Sequence, residues 1–94
     1  MAILLVQFKV QDQGKWRQAF DAHADLRKNA GCSGTHIFYN AKDPNEVIVN
    51  LQWDSEDNAA TFLQSAEAQA AMAESGMIGA PQTWFLSDGG RTPS

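Results

Sequence analysis

Two imidazoles, His23 and His36, are the side chains of this 94-residue sequence best suited to moving protons near neutral pH. His23 stands in the series Trp16, Phe20, His23, Arg27, at intervals of four, three and four residues, with Ala19 and Leu26 filling in. Those intervals place all four on one stripe of a helix, turned toward a sheet rather than toward water. A neutral ring held there can act as a base or as a hydrogen-bond donor. It can equally be a core histidine satisfied by one backbone or side-chain partner. Arg27 can neutralise an anionic ligand from the same stripe, or its long chain can reach solvent from the helix end.

His36 depends on strand register. If the hairpin aligns it with Val47, Val49 and Leu51, it faces the helices and can meet His23. A slip by one residue turns it to the other face and separates the two rings. Tyr39 and Trp53 offer an aromatic wall with polar tips, whereas Asn50 and Gln52 share a face with Ile48 and belong to the opposite surface of the sheet. In the second half of the chain seven alanines between Ala59 and Ala73 leave little side-chain volume on any helical face. Either that helix approaches the sheet closely, or a cavity remains, rimmed by larger residues such as Phe62, Leu63, Met72, Met77 and Ile78. The bland alternative is that alanine is the best helix former.

The elements that must position these residues repeat one order twice. Ile3–Val10 alternates as a strand, with Leu4, Val6, Phe8 and Val10 on the face expected to pack on helices. A helix is expected over Gly14–Asn29, capped at its start by the Asp12 carboxylate and ended by a left-handed Gly31. Thr35–Tyr39 returns as a strand, and Asn40 to Asn45 is turn chemistry. Glu46–Trp53 follows as a third strand, with Val47, Val49, Leu51 and Trp53 on one face. Ser55–Ser75 is a second helical stretch that can restart at Ser65. Gln82–Leu86 closes the sheet after the Gly79-Ala80-Pro81 turn. The order β-α-β-β-α-β defines an α+β, ferredoxin-like fold with a four-stranded antiparallel sheet. One domain spans residues 1–88, and residues 89–94 form a tail with no apolar anchor.

Composition narrows the function classes. Seven basic residues against 11 acidic ones give a formal charge of −4, with no basic run, which argues against nucleic acid or an anionic membrane surface as partner. Ala2–Val6 is too short for a spanning helix or a signal-peptide core. Cys32, the one cysteine, has no partner for an internal disulfide and no neighbouring cation in sequence, so it reads as a structural thiol in a cytoplasmic setting. Phosphate loops, dinucleotide fingerprints, zinc-helix motifs and paired-cysteine spacings are missing from the sequence, so no metal or cofactor is expected. Yet 44% of the residues are apolar and three are tryptophan, generous for a chain that buries roughly 60–65% of its unfolded surface alone. The surplus, and a sheet with helices on one face only, point to a second copy covering the bare face.

A family resemblance rests on Phe8 and Val10, the helix Lys15-Trp16-Arg17-Gln18-Ala19-Phe20-Asp21-Ala22-His23, the turn Asp43-Pro44-Asn45-Glu46, the strand end Leu51-Gln52-Trp53-Asp54-Ser55, and Phe62-Leu63-Gln64-Ser65. Over roughly residues 2–88 the chain resembles the dimeric α/β-barrel superfamily, specifically its small antibiotic-biosynthesis-monooxygenase-like members. The resemblance implies a homodimer whose sheets meet face to face as a barrel, with one pocket per subunit between sheet and helices. Relatives include cofactor-free oxygenases of aromatic polyketides, polyketide cyclases, haem-degrading enzymes and stress-response proteins. Haem-degrading members carry a Trp and a His on the second helix where this chain has Phe62 and Met72. Plant-type cyclases use a Tyr and a His where Phe62 and Ala68 stand. Neither activity is implied here.

The reading that follows is a homodimer enclosing a small apolar or aromatic molecule, with His23 as the principal polar contact and His36 as its conditional partner. Trp16, Phe20, Arg27, Tyr39, Trp53, Phe62 and Met72 are the expected pocket lining. The enzymatic form of this reading is a cofactor-independent monooxygenase or cyclase-like enzyme, in which a histidine deprotonates a phenol or enol and Trp53 or Tyr39 positions the ring. A filled core under the helices would favour a scaffold or stress protein instead.

Overall fold

Alternation in the first and third strands dictates which side of the sheet becomes the core. The computed structural model describes residues 2–94. Strand β1 (Ala2–Val10) is followed by helices α1 (Gln13–Ala22) and α2 (Ala24–Ala30), then by strands β2 (Cys32–Asn40) and β3 (Asp43–Trp53). Helices α3 (Glu56–Gln64) and α4 (Ala66–Glu74) lead to strand β4 (Met77–Leu86). The strands form one antiparallel sheet in the order β2-β3-β1-β4, the expected ferredoxin-like arrangement. Leu4, Val6, Phe8 and Val10 of β1 and Val47, Val49, Leu51 and Trp53 of β3 are buried beneath the helices, joined by Trp16 of α1 and Ala59 of α3.

The helix termini follow local chemistry. The Asp12 carboxylate accepts from the Lys15 backbone N–H at 3.0 Å, as its position before the helix requires. Ser55 caps α3, and Ser65 caps α4 by accepting from the Ala68 N–H, so the second helical stretch does break at Ser65. Gly31 ends α2 at φ 115°, and a β-carbon there would lie 2.5 Å from Asp54 Oδ1. The positive φ is what favours glycine here, and a side chain would in addition force the Asp54 carboxylate to move. The Gly31 carbonyl accepts from the Asp54 N–H at 3.0 Å, which pins that corner to the helix end.

Three expectations about element limits are corrected. The helix expected over Gly14–Asn29 is two helices, interrupted at His23, whose backbone (φ −101°, ψ 17°) leaves the helical range. The turn expected from Asn40 to Asn45 is tighter, because β2 continues to Asn40 and β3 begins at Asp43. The last strand begins at Met77, not Gln82: Gly79-Ala80-Pro81 is an irregularity inside β4, where pairing with β1 slips between Gln7 and Lys9. Since β4 is an edge strand, a proline there costs no essential ladder bond.

A candidate pocket between the sheet and the helices

The cavity arises where small residues of α4 face large ones on the sheet. Ala68 and Ala71 contribute little more than methyl groups to its wall, opposite Leu4, Val6, Val49 and Leu51. The alanine-rich helix thus leaves space instead of closing on the sheet. The space is about 100 Å³, half open to solvent and almost wholly apolar. Of the expected lining residues, Trp16, Phe20, His23, Arg27, Trp53, Phe62 and Met72 all border it. Tyr39 does not. It lies on the helix-facing side of β2, edge-on to Trp16 with ring centroids 6.4 Å apart, and supports the wall from behind.

His23 stands at the break between α1 and α2. Its Nδ1 lies 2.7 Å from the Ala19 carbonyl oxygen. A carbonyl can only accept, so the neutral ring carries its proton on Nδ1, and Nε2 keeps the lone pair. The helix break and the tautomer are linked, because this bond uses the ring to occupy a carbonyl of the last turn of α1. His36 is elsewhere. The register pairs it with Asn50, while Ile37 pairs with Val49 and Tyr39 with Val47. His36 therefore projects from the helix-free face, where it stacks on Phe38 with ring centroids 4.2 Å apart. The two histidines do not share a pocket, and the register that would have joined them is the one the sheet does not adopt.

Arg27 supplies the cavity's formal charge. Its guanidinium lies 3.5 Å from the centroid of the Phe20 ring and donates to the Phe20 carbonyl at 2.7 Å. Burial lowers its pKa from the usual arginine value, partly opposed by Cys32 and Asp21. Instead of extending to solvent, the side chain lies half-buried along the wall, with donors left after the Phe20 bond. Trp53, fully buried, faces Phe62 with ring centroids 5.2 Å apart. Its Nε1–H is buried and has no acceptor among the described residues. Ser75, which the sequence reading missed, is the one buried hydroxyl residue at the wall, and its Oγ donates to the Met72 carbonyl at 2.7 Å. The only signal for it was its place at the end of the alanine-rich helix.

A four-stranded antiparallel sheet with helices on one face, and a small apolar cavity between the layers bordered by one histidine and one arginine, defines a ferredoxin-like α+β domain. The chain belongs to the antibiotic biosynthesis monooxygenase family, whose model matches residues 1–74. Among solved structures, a Bordetella bronchiseptica protein named for the same family is 20% identical, with a TM-score of 0.80 over 93% of this chain and 96% of that one. SnoaB of Streptomyces nogalater, a cofactor-independent oxygenase, is 10% identical, with a TM-score of 0.80 over 99% of this chain and 97% of its own. A Mycobacterium tuberculosis protein is 15% identical, with a TM-score of 0.69 over 99% and 98% of the two chains. At these identities the likeness is one of fold. No curated protein matches the chain by sequence. No helix among the described residues is long and apolar enough to cross a membrane.

Proposed function

We propose that the cavity binds a small aromatic molecule bearing an acidic C–H or O–H, and that His23 is its base, in a cofactor-independent oxygenation. The observation that carries this reading is the Nδ1–Ala19 bond, which leaves Nε2 as the free lone pair of a histidine bordering an apolar cavity. Nε2 takes the proton, and the anion forms within reach of the Arg27 charge, whose attraction is strengthened by the low-dielectric wall. The carbanion then gives its electron pair to dioxygen, forming a C–O bond, and the resulting hydroperoxide loses water. An activated methylene and O₂ thereby become a carbonyl and H₂O, with the substrate itself as reductant. The cavity's open side suits a polycycle that seats one ring and leaves the others toward solvent. Anthrone, with one acidic methylene, is the test substrate: oxygen-electrode traces should show one O₂ consumed per anthraquinone formed. His23→Ala should slow the reaction by roughly 10²–10⁴. A variant as fast as the parent protein, or a parent no faster than buffer, would overturn the assignment.

We also infer a two-fold dimer through the helix-free face. Phe38, Ile78, Trp84 and Leu86 project from that face with 45%, 51%, 42% and 42% of their surface exposed. Asn50 Oδ1 is buried on the same face with no donor, which a second copy would supply. Sedimentation at micromolar concentration should give twice the chain mass, and a single-chain mass would refute the dimer.

A further inference from the structure

We propose that α4 is the gate of the cavity: it lifts from the layer beneath it to admit a ligand, then settles back on that ligand as part of the wall. This rests on the reading above that the cavity takes a small aromatic molecule, and it adds how the molecule enters. Ala68, Ala71, Met72 and the capping Ser75 form one helical stripe, and all four border the cavity. None of them joins the contiguous core, which takes Trp16 and Phe20 from α1, Ala30 from α2, and Ala59, Phe62 and Leu63 from α3. Ala68 is buried, but outside that core. Among the described residues α4 is thus the one helix whose inner face rests on the void. Its neighbours agree: α3 lies against β1 and β3, while α4 lies against α3, α1 and β4. The polar ties of α4 to the rest of the chain lie at its two junctions. Gln69 Nε2–H donates to the Leu63 carbonyl at 2.8 Å, across Ser65, and the Gln11 backbone N–H donates to the Gly76 carbonyl at 3.0 Å. Both junctions suit a pivot. Ser65 is a single extended residue (φ −70°, ψ 148°) that ends α3 and starts α4, and Gly76 stands at φ 80° with open space around it. Lifting α4 uncovers two methyl groups, a methionine and a hydroxyl, far less apolar surface than lifting α1 with Trp16 and Phe20. A segment so lightly held opens well before the whole chain unfolds. A ligand in the cavity supplies the contact surface that α4 lacks, so binding favours the closed position.

Amide hydrogen exchange of the intact chain reads the gate, with α3 as an internal control. Both helices span nine residues and begin at a serine cap, but α4 holds five alanines against two in α3. Intrinsic propensity alone would therefore make α4 the better protected of the two. Undocking reverses that order: protection factors over residues 70–74 should lie at least about tenfold below those over residues 60–64. Acetophenone, a single-ring probe, should raise the α4 values and leave those of α3 within about twofold. Ala71→Leu, which fills the void beneath the helix, should raise them in the free protein by about three- to tenfold. An α4 as well protected as α3 in the free protein would overturn the gate while leaving ligand binding intact, a measurement that needs no variant. So would acetophenone binding, followed by the shifts of methyl groups lining the cavity, with α4 exchange unchanged. If acetophenone does not bind the parent protein at millimolar concentration, the small-aromatic reading of the cavity falls and the gate with it.

Discussion

The two faces of one sheet, built from alternate residues of the same strands, differ in whether this chain completes them. On the helix side, Val47, Val49 and Trp53 are fully covered, and the apolar layer opens at a small cavity and at Phe85 on the edge strand, which stays partly exposed. On the other side, Phe38, Ile78, Trp84 and Leu86 remain exposed although they are as apolar as their buried neighbours. Strand alternation thus apportions hydrophobic residues to both faces, while four helices cover one. Among the described residues, four of the five exposed large apolar side chains lie on the uncovered face. What distinguishes the faces is therefore not sequence character but what packs on them.

A carboxylate placed on each face should separate the two in the largest effect expected here. Val49→Asp puts an unpaired charge into the centre of the covered layer. Its desolvation costs several kcal/mol, comparable with the whole stability of a domain this size, on the order of 5–15 kcal/mol. Circular dichroism should show no cooperative melt. Phe38→Asp, on the exposed face, should keep the secondary structure and a cooperative transition while yielding a single-chain mass in sedimentation. A Phe38→Asp protein that unfolds, or that remains dimeric, would erase the contrast.

How far such contrasts could be read from sequence alone depends on which forces set each feature. The alternation of Leu4, Val6, Phe8 and Val10, the Asp12 and Ser65 caps and the Gly31 stop were legible because each is a local rule obeyed within a few residues. The break at His23 was not. The stripe Trp16, Phe20, His23, Arg27 keeps helical spacing straight through the interruption, and the ring's bond to the Ala19 carbonyl leaves no periodic trace. The His36 register was undecided because one residue of slip exchanges faces, and only the pairing of His36 with Asn50 settles it. Gly79-Ala80-Pro81 reads as a turn in any local scheme. That it is an irregularity in an edge strand follows from β4's place beside β1, a tertiary fact. Most of the pocket wall was visible as apolar spacing. Ser75 and the unpaired Trp53 N–H were invisible, since hydrogen-bond satisfaction is decided by neighbours far away in sequence.

The covered face itself holds two kinds of alanine, and filling them should give opposite signs. Ala59 is fully buried in the packed core, and Ala71 borders the cavity. Leucine at Ala59 has no space to enter and should cost about 1–3 kcal/mol through overpacking. Leucine at Ala71 adds three carbons toward an existing void and should raise stability by about 0.5–2 kcal/mol. Thermal melts of the two variants check the signs. Ala71→Leu should also block acetophenone, so a protein both more stable and unable to bind it would tie the void to binding. Destabilisation of equal size at both positions would mean that the covered face has no usable space.

The smallest expected effect lies at the polar end of the exposed face, where Glu46 accepts hydrogen bonds from the side chains of Asn40 and Gln7. Those bonds favour the ionised carboxylate, with the Asn40 amide as the larger cause, and they lower the Glu46 pKa below its ordinary value. A carboxyl whose pKa is lower in the folded than in the unfolded chain contributes its stability above the unfolded value. That contribution is lost as the pH falls through the folded one. Melting temperatures followed downward from neutral pH should therefore decline more steeply across the acidic range in the parent protein than in Glu46→Gln, which cannot titrate. The difference should be small, because the network is open to water and exposed pairs are weak. It bears on the comparison of faces all the same. If a second copy covers Glu46 as well as Phe38, water leaves the network and the acid sensitivity should grow with protein concentration. A pH profile independent of concentration would leave Glu46 outside the interface.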